Sequence, residues 1–372
     1  MKKFLCLMLA FIMILSCTAC GWKNPELLED QIPIVLPDVV PDTTVANPLT
    51  GEPLQNPDAV DNRPVAVMLN NIHLAMPQHG VSVADIIYEY NVEGAITRMV
   101  GFYQDISTIG TIGSVRSARP YFVKTVYGMD AIYVHAGGSS EGMWWIYELD
   151  IDHLDEVDFD AFWRDEKRYE TMDFEHTLMT SGERISNVVA DYGWRTKHTE
   201  DFSYPFTYVK DGTPHNGVDA TDIDVWFSHY KTGTFDYDAN TGLYMVGQYD
   251  DAYIDGNTGA QVGVTNVIVL FTSMYEMATG HMSIDVEGSG TGMYFCGGKG
   301  IPINWYKEEL DDPFTYTLAD GTPFSLGVGK SYVCIVDEDS DPLSYSYVNT
   351  LTAAEPSAAV FFTFYHLRHT LE

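Results

Sequence analysis

Basic residues are scarce in this chain: 20 lysines and arginines face 53 acidic residues over 372 positions, a formal charge of −33. So negative a body repels nucleic acid and anionic lipid head groups, and neither is expected as its direct partner. Cysteine is scarcer still, with five in all, and Cys6, Cys17 and Cys20 lie near the start. Only Cys296 and Cys334 remain for the body, so no disulfide framework exists and packing must hold the fold. The two thiols either pair in an oxidising compartment or stay free and buried. No Cys-x-x-Cys or His-Glu-x-x-His occurs, the glycine-rich residues 288–300 lack the Lys-Ser/Thr of a P-loop, and His366-x-x-His369 is a thin ligand set. No metal and no cofactor is expected. Apolar residues, by contrast, make up 45% of the chain and aromatics 13%, which excludes wholesale disorder.

The start reads Met1-Lys2-Lys3, an apolar run over residues 4–15, then Ser16-Cys17-Thr18-Ala19-Cys20-Gly21. Two lysines, an apolar stretch and a small-residue exit make a secretory signal. A cysteine directly after it is the pattern of a bacterial lipoprotein, whose thiol accepts a diacylglycerol. Ile14-Leu15-Ser16-Cys17 fits best, and Cys20 is the rival lipidation site. No second run reaches the roughly 18 to 20 apolar residues that span a bilayer. The expected partner is therefore the lipid bilayer, through an N-terminal anchor, with the body extracytoplasmic.

The expected organisation is a signal peptide over 1–16, a tether over 17–60, an α/β domain over 61–200 and a β-rich domain over 201–372. The tether carries seven of the 17 prolines and an excess of acidic residues, a composition that favours extended chain. Its end, around Asn47-Pro48-Leu49-Thr50-Gly51, is a candidate for docking on the body. Strands are expected at 65–69, 86–92, 97–103 and 131–136, and helices over 121–127, capped by Ser117, and 143–148. Past residue 200 the helical periodicity fades, and strands at 265–271, 291–295, 314–318 and 331–336 predict a mainly antiparallel β half. The fold class is α+β, with a mixed sheet in the first half.

Several strings resemble the YerB family of bacterial lipoproteins: Asn62-Arg63-Pro64-Val65-Ala66-Val67, Ala84-Asp85-Ile86-Ile87-Tyr88-Glu89, Val92-Glu93-Gly94-Ala95-Ile96-Thr97-Arg98, and Asp130-Ala131-Ile132-Tyr133-Val134-His135-Ala136-Gly137-Gly138-Ser139. The likeness covers roughly residues 47–340. Thr111 departs from it, in the loop before Arg116. The resemblance implies a two-domain lipoprotein and no established activity.

Chemistry has to be argued from the residues. Arg116 and Arg119 stand three apart at an expected helix start, where unpaired N–H groups favour anions and guanidinium offers a fork for carboxylate or phosphate. Gly137, Gly138, Ser139 and Ser140 form a second candidate cradle where a strand feeds a helix. His135, Asn70 and Asn71 lie at strand ends, and in open α/β sheets ligands gather beyond the carboxyl ends of strands. Arg98, Glu89 and Glu93 complete the candidate ligand-binding set. The competing reading pairs the arginines with Glu89, Glu93 or Asp85 as a structural network. Gly138-Ser139-Ser140-Glu141-Gly142 matches a nucleophile elbow, with Asp173 and His176 downstream, but too few strands precede it for an α/β-hydrolase. Glu89 and Glu93 are spaced too far along one strand for glycoside hydrolysis. No catalytic residue is assigned.

The leading expectation is a non-enzymatic envelope lipoprotein with an arginine-containing cleft for an anionic small molecule, an envelope component or an envelope protein. An enzyme acting on a phosphorylated or otherwise anionic envelope substrate is the first alternative. A structural module for a membrane-protein partner is the second.

Overall fold

The structure is a computed structural model that describes residues 45–346 except 158–159. The signal, Cys17, Cys20, most of the tether, His366 and His369 lie outside the described residues. The chain enters at its docked segment: Leu49 is buried, Asn47 Nδ2 donates to Asp85 Oδ1 at 2.8 Å, and Thr50 O accepts from Gly329 N at 2.8 Å.

The longer strands are β1 (Val65–Asn70), β2 (Ile86–Asn91), β3 (Thr97–Tyr103), β4 (Ile132–His135), β5 (His153–Asp155), β6 (Asp222–Ser228), β7 (Lys231–Asp238), β8 (Leu243–Gln248), β9 (Asn266–Thr272), β10 (Gly288–Cys296), β11 (Lys299–Lys307) and β12 (Ser331–Asp337). Three helices matter for the site: α1 (Pro120–Gly128), α2 (Ser140–Glu148) and α3 (Gly182–Tyr192). The main sheet runs β11-β10-β9-β12-β2-β3-β1-β4-β5, with short strands at its margins. It is mixed: β1–β4, β4–β5, β2–β12 and β9–β12 are parallel, the others antiparallel. A second sheet, around β6, β7 and β8, is antiparallel. The α+β class and the β-rich second half are therefore as the sequence reads.

An unbroken apolar run becomes a central strand because both of its faces are covered. In β1, Val65, Val67 and Leu69 enter a core shared with Ile223, Val225, Phe235 and Val246 of the second sheet. Ala66 and Met68 enter the opposite core, with Phe122, Val123 and Val126 of α1. Strand β12 does the same, with Tyr332 and Cys334 on one side and Val333 and Ile335 on the other. It lies between β2 and β9, so residues from both sides of position 200 share one sheet.

Two local readings are sharpened. Helix α1 begins at Pro120 with Arg119 as its N-cap, and Ser117 does not cap it. The segment before it stays extended because Ala118 N donates to Gly137 O at 2.9 Å and Arg116 N to Met68 O at 3.1 Å. Cys296 and Cys334 are both buried and free. Asp238-x-Asn240 is a β-turn between β7 and β8, where Asp238 Oδ1 accepts from Asn240 N at 2.9 Å.

Candidate functional site

Strands β1 and β4 are parallel neighbours, so Asn70 and His135 end side by side at one edge of the sheet, and Asn70 lies opposite Arg98 of β3. The segment 114–119 crosses this edge. The expected residues do meet at the carboxyl ends of strands, but they divide into separate clusters.

The first is an ion triad. Glu93, in the β2–β3 turn, accepts from Arg98 Nη2 at 2.9 Å and from Arg119 Nε at 3.0 Å, and Arg119 Nη2 makes a further short contact with it. Burial alone would raise the Glu93 carboxyl; the Arg119 hydrogen bond and the charges of Arg98 and Arg119 outweigh it and hold the group at about 2. Both guanidiniums also donate to backbone oxygens, Arg98 to Ser117 O and Arg119 to Ala118 O. These two arginines are thus tied into the competing reading, a structural network.

Arg116 differs. Its one ion-pair partner among the described residues is Glu175, at 3.6 Å, whose side chain is 59% exposed. Its Nη1 donates to Glu175 O at 3.0 Å, and its Nε has no hydrogen-bond partner among the described residues. The Arg116 side chain is 16% exposed. Next to Glu175, His176 bonds Asn70 Nδ2 through Nδ1 at 2.9 Å, and burial lowers the His176 imidazole below its ordinary value. Arg168 closes the cluster from below: it is buried and donates to His176 O at 2.9 Å and to Pro77 O at 2.7 Å.

The glycine cradle is already filled by the protein. Gly137, at φ +61°, donates its N–H to Asp155 Oδ1 at 2.7 Å; Ser139 N donates to Ala118 O, and Ser139 Oγ accepts from Gly142 N as the cap of α2. Ser139 and Ser140 are helix-start residues. His135 is fully buried, its Nδ1 donating to Gly137 O at 2.9 Å, so its Nε2 accepts from His153 Nδ1 at 3.0 Å. Burial lowers this imidazole, outweighing Asp155. Asn71 and Glu89 face the core, bonded to each other at 2.7 Å.

Two cavities lie away from Arg98, Arg116 and Arg119. One of about 280 Å³ lies at the opposite end of β1 and β4, by Arg63, Val65 and Ile132. The other, about 310 Å³, is bounded by His73, Pro77, Gln248 and Tyr249. The charge chemistry of the arginines, rather than either of these hollows, marks the candidate site. Glu175, His176 and Arg168 belong to it as well; the pattern that joins them is the short strand at residues 178–181, which pairs with residues 111–113 just before Arg116.

This architecture is matched in known proteins. The description "Protein of unknown function (DUF3048) N-terminal domain" fits residues 49–195, and the corresponding C-terminal domain fits residues 223–333. The chain belongs to this family. It is 30% identical over 319 residues to the protein named "Putative lipoprotein YerB" of Bacillus subtilis (strain 168), covering 83% of this chain and 92% of that protein. The crystal structure of YerB protein from Bacillus subtilis superimposes with a TM-score of 0.72 at 29% identity, covering 82% of this chain and all of that one. In the family's terms, the ion triad and Arg116 lie in the N-terminal domain, within residues 49–195.

Proposed function

We propose that this protein is a lipid-anchored lipoprotein of the extracytoplasmic membrane face, held through Cys17 or Cys20, and that its Arg116 face docks an anionic group of an envelope component. The relative named as a lipoprotein supports the anchor, as does the absence, among the described residues, of any helix long and apolar enough to cross a membrane.

One observation carries the binding reading. Of the three arginines at this edge, Arg98 and Arg119 are engaged by Glu93 and backbone oxygens, whereas among the described residues Arg116 is held by an exposed carboxylate and a carbonyl, with Nε left over. An exposed ion pair is worth little, so a ligand carboxylate or phosphate can replace Glu175 at small cost and gain a fork of two donors. Arg98, Arg116 and Arg119 against Glu93 and Glu175 leave one positive charge at this place on a strongly negative chain. The exposed Glu175 carboxylate beside Arg116 marks a place that the anionic group of a large component can reach.

Calorimetric titration of the full-length protein in detergent tests this, with inorganic phosphate and phosphate-bearing glycan fragments as probes. The wild type is expected to bind, and Arg116→Gln to lose binding while keeping its fold. Equal binding by the variant contradicts the reading.

A further inference from the structure

A second charged cluster lies wholly inside the core, between the main sheet and the second sheet. Lys231, the first residue of β7, is 1% exposed; Glu89 of β2 and Asn71, just past β1, are fully buried. Glu89 Oε1 accepts from Asn71 Nδ2 at 2.7 Å and Thr97 Oγ1 at 2.5 Å, and Lys231 Nζ lies 3.4 Å from the same oxygen. Tyr332 OH donates to Oε2 at 2.6 Å. Gln248 borders the cluster too, its Nε2 donating to Tyr332 OH at 3.3 Å, and the other neighbours of the amine are aromatic. Lys231 Nζ lies 5.5 Å from the ring centres of both Phe227 and Tyr249, and the Tyr249 hydroxyl donates to Asn71 O at 2.5 Å. Tyr249 thus lies beside both the Lys231 amine and the Asn71 backbone.

Three polar atoms in this cluster are left short among the described residues: Lys231 Nζ, with three donors, has the long contact to Glu89 and no well-formed hydrogen bond, and neither Asn71 Oδ1 nor Gln248 Oε1 has a donor. Native cores seldom leave such groups unmet. Burial lowers the Lys231 amine, with Glu89 opposing, so proton transfer to the carboxylate is eased. The set is then a nucleophilic amine, a carboxamide carbon and an acid that touches both, enclosed away from water.

We propose that Lys231 and Asn71 become joined by an isopeptide bond, formed within the folded chain with Glu89 as proton carrier. Glu89 takes a proton from the ammonium, leaving neutral amine and neutral acid. The amine nitrogen attacks Asn71 Cγ and forms the new C–N bond. Glu89 protonates the carboxamide nitrogen, whose bond to Cγ breaks, and then takes the surplus proton from the Lys231 nitrogen. One ammonia leaves; no oxidant, reductant or further reactant is needed. Gln248 and Tyr249, which border this cluster, also border the cavity of about 310 Å³. The product replaces a buried ion pair by a neutral amide and ties the two halves of the chain in a protein whose described cysteines are free.

The test is a peptide map, by mass spectrometry under denaturing conditions, of full-length protein. The wild type is expected to give one branched peptide joining Lys231 to Asn71, lighter than the two separate peptides by one ammonia. Lys231→Met should give only separate peptides, and Glu89→Gln should lose most of the branched form. Recovery of both wild-type peptides unlinked and at full mass overturns the proposal, whatever the variants do. Undiminished linkage in a folded Glu89→Gln, with folding checked by circular dichroism, overturns the role of Glu89.

Discussion

Arg119 grips Glu93 across 26 positions of sequence, through Nε at 3.0 Å and a second, shorter contact from Nη2. Arg98 takes the same carboxylate from β3, so the β2–β3 turn, the β3 strand and the start of α1 are pinned at one point. The Glu93 side chain is 29% exposed, which tempers the energy. Arg119→Gln is expected to destabilise by roughly 2 to 3 kcal/mol, below the full cost of breaking a buried pair. At roughly 2 to 4 °C per kcal/mol this lowers the melting temperature by about 5 to 10 °C. Arg116→Gln, whose partner is exposed, should change stability by at most about 0.5 kcal/mol. Thermal melting of the two variants side by side checks the contrast.

Acid should act on this fold in two windows. Glu93 is held at about 2 against an ordinary 4.5, so its contribution is present above 4.5 and is lost as pH falls towards 2. His135 is lowered by burial from 6.5, so the unfolded chain takes up its proton first, and stability falls as pH drops below 6.5. Denaturant titrations across pH should show His135→Gln flattening the higher window and Glu93→Gln the lower one.

The central strands were legible in the sequence because a doubly covered strand is an apolar run, as in Val65-Ala66-Val67-Met68-Leu69. What the sequence hid depends on which distant segments meet. Glu89 and Glu93 look alike on paper, yet Glu93 meets two arginines and Glu89 meets Lys231, 142 positions away in a different sheet. The one signal for Lys231 was its place in the alternation Lys231, Gly233, Phe235, all on the inward face of β7. His153 and Asp155, which hold His135 and Gly137, were missed because a three-residue strand leaves no periodicity. Helix α1 lost its expected cap because pairing between Ala118 and Gly137 keeps Ser117 in an extended segment.

Since β12 of the second half is inserted between β2 and β9, the two halves should not melt apart. Calorimetry is expected to give one cooperative transition for the folded body. Two resolved transitions would mean that the β2–β12 pairing contributes little.

The proposed anchor rests on Cys17 or Cys20. The double substitution Cys17→Ala, Cys20→Ala should release the body from membranes into the soluble fraction after a high-salt wash, since a lipid chain is the proposed hold. Each single variant then identifies the lipidated thiol. Retention of the double variant on membranes contradicts the lipoprotein reading.

The account turns on whether Arg116 receives an anion. The most direct measurement is a crystal structure of the protein grown in phosphate, compared with one grown without it. Density for phosphate within hydrogen-bond distance of the Arg116 guanidinium, with Glu175 swung away and Arg98, Glu93 and Arg119 unmoved, is the predicted result. Arg116 still paired with Glu175, with no anion beside it at saturating phosphate, would contradict the account.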